Sequence, residues 1–195
     1  MVQKGFLYFC VLITVDPGTV LEVVSTIREL DTVGLVQPTT GPFDVVVFLR
    51  LFQVSDIGSV VVKQLQTIRG VRETLTLTIM RDTLDPMHWL RDGSLTRQEQ
   101  ERSLYAYILV TVEPQALFSA IEKIVSIDEV ALVESSAGPY DLVTLVKALT
   151  PSHLQEIVYH EIRAAPGLIS TLTLVAFEDA LEPIHWFQKD LASLR

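Results

Sequence analysis

The chain alternates short apolar runs with helical-period stripes, and it does so twice. Phe6 to Val15 is rich in β-branched and aromatic residues and predicts a strand. Asp16-Pro17 ends it and predicts a helix start, with Asp16 as N-cap and Pro17 at the first helical position. Val20, Val23, Val24, Ile27 and Leu30 follow at helical spacing. Two apolar runs come next, Val33–Val36 and Val45–Leu49. The Pro38-Thr39-Thr40-Gly41-Pro42 segment between them signals a hairpin with a loop longer than two residues. A second helix is expected from Ser55 to Ile68, with Ile57, Val60, Val61, Leu65 and Ile68 inward, stopped at Gly70 by a left-handed cap. Thr74–Met80 closes the set as a last strand.

An offset of 97 residues repeats this series without a gap from about Leu7 to Trp89. Gly41-Pro42-Phe43-Asp44 returns as Gly138-Pro139-Tyr140-Asp141, and Thr14-Val15-Asp16-Pro17 as Thr111-Val112-Glu113-Pro114. Gly70 returns as Gly167, Thr74–Leu77 as Thr171–Leu174, and Pro86-Met87-His88-Trp89 as Pro183-Ile184-His185-Trp186. Roughly a third of the aligned positions are identical, and units of roughly 80 residues are long enough to bury a core each. In the second copy Leu117, Ile121, Ile124 and Val125 form the first stripe. Ser152 is the expected cap of the second helix, whose stripe is Leu154, Ile157, Val158 and Ile162, and Gly167 its stop. Residues 1–90 and 103–195 are thus expected to be two domains, with the polar segment 91–102 as linker.

The order strand, helix, strand, strand, helix, strand predicts a ferredoxin-like α+β sandwich. A sheet covered on one face alternates apolar and polar residues. Val45–Leu49 and Cys10–Ile13 do not alternate. Both faces of these strands should therefore be buried, and the nearest surface to cover the helix-free face is the other copy.

Composition narrows the function classes. Hydrophobic residues make up 49% of the 195 and mean hydropathy is +0.37. Even so, no apolar run approaches the ~18–20 residues of a membrane helix. The apolar opening recurs in mid-chain, which reads as a strand rather than a signal peptide. A net charge of −9 without a cluster of Lys and Arg argues against direct nucleic-acid contact. Cys10 is the sole cysteine, so no internal disulfide or cysteine-based zinc site can form, and a cytoplasmic setting is expected.

The Gly-x-(Phe/Tyr)-Asp turns and the Gly-(Val/Leu)-x-x-Thr-x-Thr runs at Gly70–Thr76 and Gly167–Thr173, in this strand order, resemble the effector-binding (RAM) domain of the Lrp/AsnC family. The resemblance covers some 170 residues. It implies sheet-stacked dimerisation, here as a pseudo-dimer of the dimeric α/β-barrel type, and further homo-oligomeric assembly. It also implies an effector site near the turn and the Thr-x-Thr strand: Gly41, Phe43, Asp44, Thr74 and Thr76, with Gly138, Tyr140, Asp141, Thr171 and Thr173 in the second copy. Family regulators carry an N-terminal helix-turn-helix. Met1–Gly5 leads straight into the first strand here, so DNA binding is not carried over.

Each candidate has a plainer reading beside it. Asp44 and Asp141 suit the ammonium of an amino-acid effector, with nearby backbone N–H groups for its carboxylate. Equally, each can simply tie its own turn. The threonines offer hydroxyls to a polar ligand but are also ordinary strand residues. His88-Trp89 and His185-Trp186 read as interface anchors, with a metal or porphyrin ligand as the alternative. His153 and His160 read as a solvated helix face, since Asp56 and Lys63 occupy their places in copy one. No catalytic signature is present, and neither a metal nor another cofactor is expected. The expected function is a stand-alone tandem effector-sensing and oligomerisation module in transcription regulation. Its expected partners are a small molecule such as an amino acid, the chain itself, and a DNA-binding Lrp/AsnC relative. The alternatives are a dimeric α/β-barrel enzyme or haem/porphyrin-binding protein (monooxygenase-like or porphyrin-acting), and an assembly module without a ligand.

Overall fold

The computed structural model describes residues 7–80 and 103–177. The expected linker 91–102 and the two His-Trp tails lie outside the described residues. The chain divides into two compact units at Ile79/Met80.

In the first unit the elements are β1 (Leu7–Val15), α1 (Val20–Arg28), β2 (Val33–Thr40), β3 (Val45–Leu51), α2 (Val54–Ser59) and β4 (Val71–Met80). A π-helical stretch, Val60–Leu65, continues α2, and its Gln66 N–H reaches back five residues to the Val61 carbonyl at 2.8 Å. β1 pairs antiparallel with β3 and β4, and β3 with β2, giving the order β4-β1-β3-β2. Phe9, Val11 and Ile13 of β1 pack with Val45, Val47 and Leu49 of β3 against Val23, Val24 and Ile27 of α1 and Val60, Val61 and Leu65. Complete burial of side chains of this size contributes about 1.5–3 kcal/mol each.

The second unit repeats the plan with β5 (Leu104–Val112), α3 (Leu117–Val125), β6 (Val130–Ala137), β7 (Leu142–Ala148), α4 (Pro151–Glu156) and β8 (Leu168–Ala176). Its sheet order is β8-β5-β7-β6. Ala106, Ile108 and Val110 face Ala120, Ile121, Ile124, Leu154, Ile157, Val158 and Ile162. Both units are therefore α+β, a four-stranded antiparallel sheet with two helices on one face. Absence of alternation did signal burial on both faces: Cys10, Leu12 and Val46 point away from the helices, and they are as fully buried as Val11, Ile13 and Val45. Burial also pushes the Cys10 thiol well above its ordinary range, so a thiolate nucleophile is not on offer there near neutral pH.

Local starts and stops depart from the sequence reading. Asp16 and Pro17 do not open α1. Its N-cap position is Thr19, and Gly18 intervenes at φ +84°, a conformation that ends any helix begun at Pro17. The Asp16 carbonyl instead accepts bonds from the Thr19 N–H at 3.1 Å and the Thr19 hydroxyl at 2.8 Å. Gln115 stands where Gly18 does, and there Pro114–Ala116 forms a 3₁₀ turn that runs into α3. Val125, read as part of the α3 stripe, is exposed, while Ala120 is buried. Ser152 is not the cap of α4. Thr150 is, its hydroxyl accepting from the His153 N–H at 3.1 Å, with Pro151 as the first helical residue. β2 runs on through Pro38, opposite Val45, so the hairpin loop is shorter than the Pro38–Pro42 reading.

Gly70 and Gly167 do adopt positive φ, +95° and +65°. Packing adds a second demand for glycine. The Gly70 carbonyl accepts from the Asp16 N–H at 2.7 Å, and that of Gly167 from the Glu113 N–H at 2.8 Å. A Cβ on Gly70 would meet Thr19 Oγ1 at 2.6 Å, and one on Gly167 would collide with the Ala116 Cβ.

Candidate functional site

The two Gly-Pro-(Phe/Tyr)-Asp turns are built alike. Asp44 N–H donates to the Ile13 carbonyl at 2.8 Å, and Asp141 N–H to that of Val110 at 2.9 Å. Each carboxylate then accepts a backbone bond through Oδ2, Asp44 from Val15 N–H and Asp141 from Val112 N–H, both at 2.8 Å. The reason lies in the strand beside it. The pairing of β1 with β4 slips between Thr14 and Val15, and that of β5 with β8 between Thr111 and Val112. A slipped ladder leaves an amide without its partner, and the carboxylate takes the place of the missing acceptor. Asp44 and Asp141 thus pin the hairpin to the end of the neighbouring strand.

The hairpin has a second tie that the sequence reading missed. Thr39 Oγ1 donates to the Phe43 carbonyl at 2.9 Å, and Ser136 Oγ to the Tyr140 carbonyl at 2.7 Å. A hydroxyl residue five positions before the aspartate in both copies was the available signal. Phe43 and Tyr140 are half-buried, whereas Gly41 and Gly138 are exposed.

Thr74 and Thr76 stand opposite Ile13 and Val11, and Thr171 and Thr173 opposite Val110 and Ile108. Each pair therefore shares one face, as alternation implied, and it is the helix-bearing face. Gln66 Nε2 donates to Thr74 Oγ1 at 2.8 Å. The aligned Arg163 donates through Nε to Thr171 Oγ1 at 3.1 Å, and its guanidinium lies 4.5 Å from the centre of the Tyr159 ring. Asp44 and Thr74 sit at the same end of their sheet but on either side of β1. They are near one another without forming a closed cluster.

The two histidines of the α4 segment differ. His160 is exposed, in keeping with a solvated face. His153 is not merely solvated: its Nδ1 accepts the Leu149 N–H at 3.3 Å and its Nε2 lies 3.3 Å from Glu129 Oε1. The first contact uses Nδ1 as an acceptor and leaves Nε2 as the nitrogen that faces the carboxylate. Among the described residues no group of three or more His, Cys, Asp or Glu is placed to hold a metal. No helix there is long and apolar enough to cross a membrane.

Two clefts stand out among the described residues, and neither is lined by the glycine turns. One, about 450 Å³, lies along the outer side of the α4 segment between Ser152, Gln155, Glu156, Tyr159 and His160. The other, about 390 Å³, lies in the first unit, at the end of its sheet away from the turn.

Comparison with solved structures supports the fold along the whole chain. The siroheme decarboxylase NirDL matches with a TM-score of 0.66 at 12% identity, over 98% of this chain and 80% of that one. TTHA0845 from Thermus thermophilus is 32% identical over 40% of this chain and 99% of its own, with a TM-score of 0.39. AsnC of E. coli is 20% identical over 45% of this chain and 59% of its own, with a TM-score of 0.41. No curated protein sequence is a match. The sequence model of the Lrp/AsnC ligand binding domain fits twice, over residues 8–88 and 105–183. Two matches, one to each copy of the duplicated unit and each containing its glycine turn, make this chain a member of the Lrp/AsnC ligand-binding domain family.

Proposed function

We propose that the chain is a tandem effector-sensing and oligomerisation module acting in transcription regulation, which binds a small molecule such as an amino acid and does not itself contact DNA. The observation that carries this reading is the doubled family match, each half containing a turn of the same build. The ligand-contacting set would be Gly41, Phe43, Asp44, Thr74 and Thr76, with Gly138, Tyr140, Asp141, Thr171 and Thr173 as its counterpart. A carboxylate that accepts one amide through Oδ2 keeps acceptor capacity for an ammonium group. Exposed backbone at Gly41 or Gly138 is open to the ligand's own carboxylate. The acidic balance of −9 fits a regulator that reaches DNA only through a partner, either a DNA-binding Lrp/AsnC relative or a larger assembly including copies of itself.

Calorimetric titration of the whole chain against the twenty amino acids tests this, together with a pull-down against full-length Lrp/AsnC regulators. The expected result is at least one binding isotherm, weakened about tenfold or more by Asp44→Asn or Asp141→Asn. Silence in both experiments would sink the proposal.

A second reading is an enzyme or carrier acting on a porphyrin. Its support is the fold shared with NirDL over nearly the whole chain, since the structure of that protein was also obtained with an iron-uroporphyrin III analogue. Absorbance titration of the purified chain with iron uroporphyrin III separates the two readings. A saturable spectral shift at one equivalent would favour the enzyme.

A further inference from the structure

The glycine turns of the two units are built alike, but the residue that reaches the Thr-x-Thr strand from the end of the second helix is not the same. In the first unit it is Gln66, whose Nε2 donates to Thr74 Oγ1 at 2.8 Å. In the second it is Arg163, whose Nε donates to Thr171 Oγ1 at 3.1 Å. A hydroxyl that accepts such a bond keeps its own proton for a further acceptor. Both threonines are thereby turned into donors. What stands beside that proton differs between the copies.

Arg163 is held from two directions. Its Nε is engaged by Thr171, and its guanidinium lies 4.5 Å from the centre of the Tyr159 ring, which fixes the plane of the cation. The terminal nitrogens still carry donors, and no ion pair with a carboxylate accompanies them among the described residues. With the Thr171 hydroxyl they form a spot made of donors alone, which suits an anion. In the first unit Val62 stands in the place of Tyr159. Gln66 offers an amide N–H and a carbonyl oxygen there, which suits an uncharged amide. Thr171 and the turn aspartate also share one level of their sheet. Thr171 pairs with Val110 from one side, and the Asp141 N–H donates to the Val110 carbonyl from the other. Two strand spacings, about 9–10 Å, separate them. A short amino acid with a charged group at each end, and a hydrogen bond beyond each, fits that span.

We propose that the second unit selects an acidic amino acid, whose side-chain carboxylate is taken by Arg163 and Thr171, while the first unit, with Gln66 and Thr74, selects the uncharged amide counterpart. This rests on the effector reading given above, in which Asp141 takes the ammonium and the backbone at Gly138 the α-carboxylate. Arg163 and Gln66 add the choice of side chain. Two copies of one turn thus sense two ligands of the same size and different charge.

The test is calorimetric titration of the full chain with L-glutamate and L-glutamine, with a thermal melt to verify that each variant is folded. The expected result is saturable binding of both. Arg163→Gln, which installs the first unit's residue, should weaken L-glutamate about tenfold or more and leave L-glutamine bound. Gln66→Arg should do the reverse, weakening L-glutamine by a similar factor. Arg163→Lys keeps the charge and should recover part of the L-glutamate affinity, a rescue that a role in folding alone does not produce. L-Glutamate binding that survives Arg163→Gln unchanged overturns the proposal. So does the failure of both ligands up to millimolar concentration. If another amino acid then binds and is lost in Asp141→Asn, the effector reading stands without this selectivity. If none of the common amino acids binds, both fall.

Discussion

The two ends of each unit have had opposite fates. At the glycine-turn end the copies agree bond for bond: the same aspartate, the same valine amide, the same 2.8 Å. At the other end Thr32 and Asp56 of one copy are replaced by Glu129 and His153 in the other, so that one copy has an open cleft where the other has a bridge. The agreement is where a slipped ladder needs an acceptor and the side-chain oxygen at that position supplies it. The divergence is where no backbone group in both copies calls for the same side chain.

Removing the turn carboxylate is expected to have the largest effect. Asp44→Ala and Asp141→Ala each strip the acceptor from the amide of a buried valine, Val15 or Val112. A cost of about 1–3 kcal/mol is expected in each copy, read from urea unfolding of the whole chain. The two costs should match, because the same 2.8 Å bond is lost in each copy. Asparagine, which keeps an acceptor oxygen, should recover part of the loss. A large loss in one copy and none in the other would break the claim that the two turns do the same structural task.

The glycines behind the first helix of each unit come next. Gly70→Ala and Gly167→Ala both place a side chain at positive φ, costing about 1–3 kcal/mol. The route of relief differs between the copies. The Gly70 Cβ meets the Thr19 side chain, so adding Thr19→Ala should restore part of the stability. The Gly167 Cβ meets Ala116, which has no rotamer to turn, so only Ala116→Gly should help. Thermal melts of the single and double variants give the coupling in each copy directly.

Much of the scaffold was legible in the chain, because period and repetition are strong signals. The runs at Cys10–Ile13 and Val45–Leu49 announced two buried faces, and the stripes of the second helices are buried except for Ile57 and Ile68, which are half-buried. Caps were less legible. Asp16-Pro17 has the composition of a helix start, yet the φ of Gly18 moves the start to Thr19, and composition alone does not report a dihedral angle. Ser152 and Thr150 are both acceptable caps by residue type. Only the geometry of Pro151 between them decides, since proline takes the first helical position and makes Thr150 the residue before it. The aspartates were found as candidates, but their bond to a valine 29 residues earlier could not be read from the turn. That bond depends on a register slip in a strand pair distant in sequence. The cleft was missed for a similar reason: Asp31, Arg50 and Asp56 meet only once β2, β3 and α2 are in place.

The smallest expected effect bears most directly on the contrast between the far ends. His153→Ala removes an acceptor from the Leu149 N–H and a partner from Glu129, both at partly exposed positions. Bonds of that kind contribute roughly 0.5–1 kcal/mol together. The aligned change, Asp56→Ala, removes a carboxylate whose side-chain contact among the described residues is a long 3.4 Å one from the Ser55 hydroxyl, and should fall within about 0.5 kcal/mol of zero. The sign matters more than the size. If the second unit uses this region for its own stability, His153→Ala must destabilise while Asp56→Ala does not. Equal losses would mean that Asp56 already has a structural task, and the region would then be closed in both copies by different means. A neutral His153→Ala would mean that the bridge fills space without contributing stability. The difference between the copies would then lie in what each end leaves open, not in what holds it together.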